Sequence, residues 1–533
     1  MIYWCEKCKT PIFNKELHEC ICDGKITKIS EGTICNPVFF QERKLIEKII
    51  NCSLLDKEIW YLGSSRYYID GAIKRIPYRE WYKNKEHLSI AAELRSNIEI
   101  EFDYKRFKPV IKANEIYIKN KIYEAEKYIT DTLLQYKDSN YIPTVSFSGG
   151  KDSSVVSRLV MDALQDNSVI HLFGDTTLEF PETYEYVNSG FRKENPRVPM
   201  IPSETENDFF KLCNVFGPPS QHERWCCTIF KTSNLNKEYE NLPGNSLSFL
   251  GIRHSESAAR AGYERTQEKS KISSQINAMP IIDWTDYDVW LYILYKNMLI
   301  NDCYQYGYKR VGCWCCPNNS EWSMMLTEIY HPEYMERWKM MIYDFAKKTG
   351  KDDPDDYYYG GRWKTRRGAS GLAVRNVTIM DTECNLSDRA RNIIVEKKLT
   401  KDVIELLKPL GDLKITEKKD ATYIRVFDND KTGEYRKVCE LIIVYGTTVI
   451  KVLPEDRVDI TNLVNRIKCQ MRKYQFCIKC SACDSTCPYG AIDTIHGKYS
   501  IDETKCQHCK HCIAKFYNGC IMCDVLAAKK GLQ

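Results

Sequence analysis

The chain has 533 residues, 43% apolar and 28% charged, and its 77 basic and 72 acidic side chains leave a formal charge of +5. That length is too great for one hydrophobic core, so several domains are expected, and the near balance of charge excludes a surface built wholly for nucleic acid while leaving room for a local basic patch. No apolar run approaches the roughly 18 residues of a membrane span, and Met1-Ile2-Tyr3-Trp4-Cys5 lacks the basic and apolar regions of an export signal; a cytoplasmic chain with no membrane contact is expected.

The 25 cysteines fall into clusters with two-residue gaps, which in a chain without an export signal points to metal or cluster ligation, not disulfides. Residues 1–35 read as a zinc-ribbon-like module. Cys5-x2-Cys8 and Cys20-x-Cys22 suit a closed, structural zinc site with four thiolate ligands. His18 is a substitute ligand, and two unrelated cysteine pairs are the plainer alternative. A module this small orders itself only around metal. Residues 36–113 form a mixed, strand-containing region, with short strands at Glu58–Leu62 and Tyr67–Asp70. Cys52, Cys213, Cys303, Cys439 and Cys469 are scattered and read as small buried apolar residues.

Residues 114–370 read as one α/β domain. Ile118, Ile122, Ala125 and Ile129 recur at helical spacing and predict a helix over 114–136. Thr144–Phe147 is a buried strand followed by a glycine turn and a helix through Val155, Val156, Leu159 and Val160. Further strands end at Gly174-Asp175 and at Gly251-Ile252-Arg253, so a parallel sheet is expected with ligands at the strands' C-terminal ends. In Ser146-Phe147-Ser148-Gly149-Gly150-Lys151-Asp152-Ser153-Ser154, the two glycines permit positive φ and close backbone approach. Their N–H groups and those opening the helix form a nest for phosphate oxygens. Lys151 adds a point charge, and Ser148 and Ser153 add hydroxyls. Asp152 repels a bare phosphate, which leaves it a Mg²⁺ bridge or a structural hydrogen bond. Further along, Arg362, Lys364, Arg366 and Arg367 are either a phosphate-rich contact or a solvated loop, and Asp352 to Asp356 read as a surface turn.

With these residues the stretch from about 140 to 320 resembles the PP-loop ATP pyrophosphatases, and specifically the phosphoadenosine phosphosulfate (PAPS) reductase family. The resemblance also rests on Phe173-Gly174-Asp175-Thr176 through Glu179-Phe180-Pro181-Glu182-Thr183, on Arg224-Trp225-Cys226-Cys227-Thr228, on Gly251-Ile252-Arg253 with Glu256, Ser257 and Arg260, and on Pro280 to Trp284. It implies that Asp175 lies near an adenine nucleotide and that Arg253 and Arg260 hold a phosphate or sulfate, for which the planar guanidinium fork is suited. It also implies a [4Fe–4S] cluster on Cys226, Cys227, Cys313 and Cys316, with Cys315 a competing ligand and a zinc site or free thiols as alternatives.

Residues 371–469 are a mixed α/β connecting region with β-type runs such as Leu441 to Tyr445. Residues 470–533 carry Cys477-x2-Cys480-x2-Cys483-x3-Cys487-Pro488, which matches the bacterial ferredoxin run whose fourth cysteine serves the other cluster. Cys506-x2-Cys509-x2-Cys512 follows, with Cys520 taken as the remaining ligand and Cys523 its competitor. Two [4Fe–4S] clusters in a ferredoxin-like α+β domain are expected.

The whole is therefore expected to be multidomain α/β: a zinc module, a central PP-loop sheet and a ferredoxin-like tail. Its first functional reading is an iron–sulfur enzyme binding ATP or an adenylylsulfate-type nucleotide, with a sulfur-containing substrate or sulfur donor as partner and electrons from its own tail. Reductases of the family carry a Glu-Cys-Gly-(Ile/Leu)-His motif, of which only Glu383-Cys384-Asn385 echoes a fragment. The alternative is an adenylating ATP pyrophosphatase that thiolates tRNA or a DNA backbone; a third is a non-catalytic electron carrier or nucleotide sensor that works with a partner protein.

Overall fold

A computed structural model describes residues 1–13, 20–101, 104–268, 275–367, 378–429, 433–494 and 498–526. His18 lies outside the described residues. The chain forms two compact units that are not contiguous in sequence. The first is Met1–Thr205, Asn241–Met341 and Tyr358–Gly360; the second is Glu206–Glu240, Ile342–Tyr357 and Gly361–Gln533.

In the first unit, β1 (Ile2–Cys5), β2 (Thr10–Ile12) and β3 (Ile26–Ser30) form an antiparallel sheet in the order β2-β1-β3. A second antiparallel sheet runs β4 (Asn36–Pro37), β5 (Ile59–Tyr61), β6 (Arg66–Ile69) and β7 (Ala72–Arg75). The central sheet contains β8 (Tyr141–Phe147), β9 (Ile170–Phe173), β10 (Met200–Pro202), β11 (Asn245–Leu250), β12 (Thr266–Gln267) and β13 (Gln275–Ala278) in the order β10-β9-β8-β11-β13-β12. Five of these strands are parallel, as expected; β12 departs from the pattern by pairing antiparallel to β13 at the edge. Sequential strands lie on both sides of β8, so the chain reverses its direction of travel across the sheet there, which opens a crevice at the strand ends.

Helices cover this sheet because their apolar residues recur every three or four positions. Glu115–Gln135 buries Ile118, Ile122, Ala125 and Ile129, and Lys151–Leu164 buries Val155, Val156, Leu159 and Val160. Both faces meet Val145, Leu247 and Phe249 in one core. Where β11 ends, Gly251 lies against the start of the helix Lys151–Leu164: a Cβ there would sit 2.7 Å from the Asp152 carbonyl carbon.

In the second unit, β14 (Met380–Glu383), β15 (Arg391–Ile394), β16 (Asp412–Glu417), β17 (Thr422–Asn429), β18 (Tyr435–Ile443) and β19 (Val449–Pro454) make an antiparallel sheet ordered β14-β15-β19-β18-β17-β16. The helix Ile460–Phe476 packs Leu463, Val464, Ile467 and Met471 into a core shared by Ile393, Ile424 and Leu441 of the sheet and by Cys487, Ile492 and Cys512 of the tail. A short pair, β20 (Ile492–Asp493) and β21 (Ser500–Ile501), completes the tail.

Three surface expectations are corrected here. Cys52 is exposed rather than buried, because it follows the left-handed residue Asn51 that ends the helix Phe40–Ile50. The basic run is exposed only in part, at Arg362 and Arg367. Arg366 is buried and donates to the carbonyls of Phe216 and Pro218, Lys364 is buried, and Arg362 pairs with Asp356 at 2.5 Å. The acidic run is not a plain turn, since the Asp353 carboxylate accepts the Asp356 N–H at 3.0 Å and caps the short helix Pro354–Tyr359.

Gly251→Ala should force the strand end away from Asp152, destabilising the first unit by about 1–3 kcal/mol and weakening nucleotide binding. Thermal unfolding with and without ATP checks both effects.

Candidate nucleotide site and cysteine centres

The parallel register sets Phe147 beside Phe173 and Ser146 beside Leu250. Ser148, Asp175 and Arg253 therefore emerge from the C-terminal ends of three neighbouring strands. Gly149 adopts φ +67, and a Cβ there would press on Thr183 and Val187 at 3.0 Å. Gly150 has φ −89 and precedes the first turn of the helix, so only one of the two glycines uses the left-handed region. Asn301 steadies the turn by donating to the Thr183 hydroxyl at 2.8 Å and the Gly149 carbonyl at 3.4 Å. The Tyr304 hydroxyl accepts the Lys151 N–H at 2.9 Å, and burial pushes that hydroxyl up to about 12.

Four charged side chains then lock the helix start to the strand ends. Lys151 Nζ lies 2.8 Å from Asp152 and 2.9 Å from Asp286; Arg253 lies 2.6 Å from Asp152 through Nε and 2.9 Å from Asp286 through Nη2. Burial works against every one of these charges. The pairing overrules it, holding Lys151 and Arg253 above their ordinary values, Asp152 below its own, and Asp286 down at about 2. Asn36 donates to Asp286 as well. Two cations and two anions cancel, which is what makes burying all four tolerable.

Lys151 and Asp152 are thus both engaged within the square. Ser153 is buried and donates to the Gly150 carbonyl at 2.9 Å, whereas Ser148, whose hydroxyl lies 3.1 Å from that of Ser153, is the exposed one. Asp175 is held by the Thr177 N–H at 2.7 Å and the Tyr184 hydroxyl at 2.8 Å. Arg260 pairs with Glu256, and burial followed by the neighbouring Arg310 depresses it. Arg260 and Arg310 thus place positive charge beside a neutral network, where an oxyanion would find it.

Asp286, Asn36, Tyr304 and Arg310 escaped the sequence reading. Asp286 had a signal: Thr285 and Asp288 form a reciprocal cap at the start of the helix Asp286–Lys296, which fixes an acid at its positive end. The other three lie far from the loop in sequence and carry no motif.

The N-terminal cysteines converge. Cys5 and Cys22 sulfurs are 3.4 Å apart, Cys8 and Cys20 sulfurs 3.6 Å, and all four lie within 4.8 Å of one another. A tetrahedron of Zn–S bonds near 2.3 Å has edges of about 3.8 Å, so the donor set fits zinc. Gly24 completes the cradle, since a Cβ there would lie 2.7 Å from the Cys5 sulfur.

In the second unit the tail cysteines sort into two quartets. Cys477, Cys480 and Cys483 each interact electrostatically with Cys520, while Cys506 and Cys512 each do so with Cys487 and Cys509. Cys487, Cys506, Cys509 and Cys512 also line one small pocket together with Pro409, Pro488 and Ile501. The two three-cysteine runs are wound alike: Lys479 and Ser481 flank Cys480 with positive φ, and His508 and Lys510 flank Cys509 in the same way. Within each run, the N–H groups of Lys479 and His508 bond to Cys477 and Cys506. The donor set and winding fit cubane clusters, with the fourth cysteine of the first run serving the second quartet.

Cys226 and Cys227 belong to the second unit, and Cys313, Cys315 and Cys316 to the first. In its own unit, Cys227 accepts from Arg224 at 3.4 Å. Its Cys226 bond first, and then that guanidinium, pull it to about 5 against its burial. In the first unit, Cys313 lies 3.3 Å from the Thr176 hydroxyl. Among the described residues no helix is long and apolar enough to cross a membrane.

A parallel sheet with a phosphate loop at its switch point defines a PP-loop nucleotide-binding fold. Residues 142–319 match the family model described as the phosphoadenosine phosphosulfate reductase domain. Two uncharacterized proteins of Methanocaldococcus jannaschii are similar at 33% identity over 277 residues and 31% over 250, covering 52% and 46% of this chain and 55% and 58% of their own lengths. The chain thus spans little more than half of these curated relatives. An adenosine 5'-phosphosulfate reductase of a Geobacillus species is 26% identical over 190 residues, 35% of this chain and 77% of its own length.

Because the Asp286 carboxyl is depressed, its stabilising effect is complete above the unfolded value near 4 and fades as pH falls through about 2. Asp286→Asn should therefore be less stable than the wild type by on the order of 2 kcal/mol at pH 7, with the gap narrowing toward pH 2; denaturant unfolding at both pH values measures it. Purified chain should hold one zinc, and Gly24→Ala should lower zinc retention under chelator competition, read by metal analysis.

Proposed function

We propose that the chain is an iron–sulfur enzyme that binds an adenine nucleotide, of ATP or adenylylsulfate type, on the turn Ser148–Gly150 and couples it to reductive sulfur chemistry. The observation that carries this reading is that the Ser148–Gly150 turn, Asp175 and Arg253 lie at the C-terminal ends of three neighbouring parallel strands, with the Arg260 and Arg310 charges acting near Asp152. An anionic nucleotide end suits such a place, because backbone N–H groups and fixed guanidinium charge stabilise it without rearrangement. The PAPS reductase match and the named sulfur chemistry of the Geobacillus relative support the substrate class.

Cys477, Cys480, Cys483 and Cys520 would hold one [4Fe–4S] cluster and Cys487, Cys506, Cys509 and Cys512 a second. When bound, they supply single electrons. Reductive cleavage of an adenylylsulfate S–O bond takes two electrons and releases sulfite and the nucleoside phosphate. Within the second unit, the helix Ser233–Glu240 that follows Cys226-Cys227 donates from Ser233 to the Ser481 carbonyl at 2.7 Å, inside the first quartet's loop. That bond supports electron delivery toward the Cys226-Cys227 segment. A third cluster on Cys226, Cys227, Cys313 and Cys316 is part of the proposal on the strength of the sequence resemblance, and the thiolate character of Cys227 suits a ligand. Structural zinc at Cys5, Cys8, Cys20 and Cys22 completes it.

A specific observation favours a second reading. Cys384 is buried and its N–H is bonded to the Ala390 carbonyl, so it is no exposed nucleophile, and the motif fragment around it does not serve the reductase chemistry. An adenylating ATP pyrophosphatase that transfers sulfur needs no such cysteine. Its nucleic-acid version keeps only Arg362 and Arg367 of the basic run at the surface, since Lys364 and Arg366 are buried.

Anaerobically purified chain should contain iron and sulfide for at least two clusters, and with a one-electron reductant it should convert adenylylsulfate to sulfite and AMP. Arg253→Ala should cut that turnover at least tenfold, about 1.4 kcal/mol. Pyrophosphate release from ATP that depends on RNA or DNA would transfer the conclusion to the second reading; a colourless, iron-free preparation that binds no adenylate would end both.

A further inference from the structure

Lys473 lies near the end of the helix Ile460–Phe476 and is 1% exposed. Its ammonium donates to the Cys512 backbone carbonyl at 2.9 Å and lies 5.7 Å from the centre of the Tyr499 ring. Its own carbonyl accepts the Cys477 N–H at 3.0 Å. One residue thus touches a member of each cysteine quartet. Its charge acts on Cys477 and Cys483 in the first and on Cys512 in the second. Tyr499 faces the same three thiols, and among the described residues its buried hydroxyl has no partner.

Among the described residues, no carboxylate pairs with Lys473. An isolated buried ammonium is costly by several kcal/mol. A cubane with a 2+ core and four thiolates carries net negative charge, and two such groups on either side would offset the ammonium. The position therefore makes sense once both quartets are filled.

We propose that Lys473 is a shared tuning residue, whose buried ammonium raises the reduction potential of both tail centres. This rests on the reading that the quartets hold [4Fe–4S] clusters. One electron from a low-potential one-electron reductant adds one negative charge to a centre and requires no proton. The fixed positive charge lowers the energy of that added charge on either side, more strongly in a dry interior than in water. Lys473 enters no bond-making step.

The test uses the full chain, purified without oxygen, as wild type, Lys473→Met, Lys473→Gln and Lys473→Arg. Iron and sulfide per chain are measured first, and each centre's midpoint potential is then read by dithionite titration followed by electron paramagnetic resonance. With cluster content unchanged, both potentials should move to more negative values in the Met and Gln variants, while Arg, which keeps the charge, should stay near the wild type. Unchanged potentials, a shift at one centre only, or an equal shift in the Arg variant would overturn the proposal. If neither neutral variant retains its iron while Arg does, Lys473 serves assembly and the tuning role is overturned. A wild-type chain without iron or sulfide defeats the cluster reading itself, a result distinct from unchanged potentials in iron-replete variants.

Discussion

The first unit depends on the square of Lys151, Asp152, Arg253 and Asp286. One side of that square, Lys151–Asp152, lies within the helix Lys151–Leu164, and the other three tie together that helix, the segment after β11 and the start of the helix Asp286–Lys296. Because the four charges cancel, the square can be buried at the mouth of the crevice and still leave the local field to Arg260 and Arg310. The turn is consequently built before any ligand arrives, with its backbone groups fixed by Tyr304 and Asn301. Preorganisation of this kind is how a phosphate site gains affinity without paying for rearrangement.

The second unit obeys a different constraint. Its tail has little sheet of its own, with β20 and β21 of two residues each, and it shares its apolar core with the antiparallel sheet through one helix. The same helix brings Lys473 between the two cysteine quartets. Packing and electrostatics are thus handled by a single element.

Much of this was legible from residues alone. The period-3.6 pattern of Ile118, Ile122, Ala125 and Ile129 located a helix to within a residue or two, and the strand ends at Gly174 and Gly251 located the crevice. The cysteine spacing was equally clear, because thiols two residues apart have few other uses. What sequence could not give was pairing. Lys151 beside a phosphate turn reads as a phosphate ligand alone, but Asp286, 135 positions later, also holds it at 2.9 Å. Arg366 in a basic run reads as surface until its carbonyl partners appear. In both cases a long-range partner engages a charge whose local surroundings look open, and nothing local records that partner.

Asn36 bonding to Asp286 has a practical corollary. Glu42, six residues further on, is likewise committed within the first unit, accepting from the Tyr67 hydroxyl at 2.8 Å and pairing with Lys309 beside Arg310. The stretch recognisable as a reductase domain begins only at residue 142, yet its crevice borrows supports from the first seventy residues. A recombinant piece trimmed to that stretch would expose a half-supported acid and an unpaired lysine, so the folded body is larger than the stretch that matches the family.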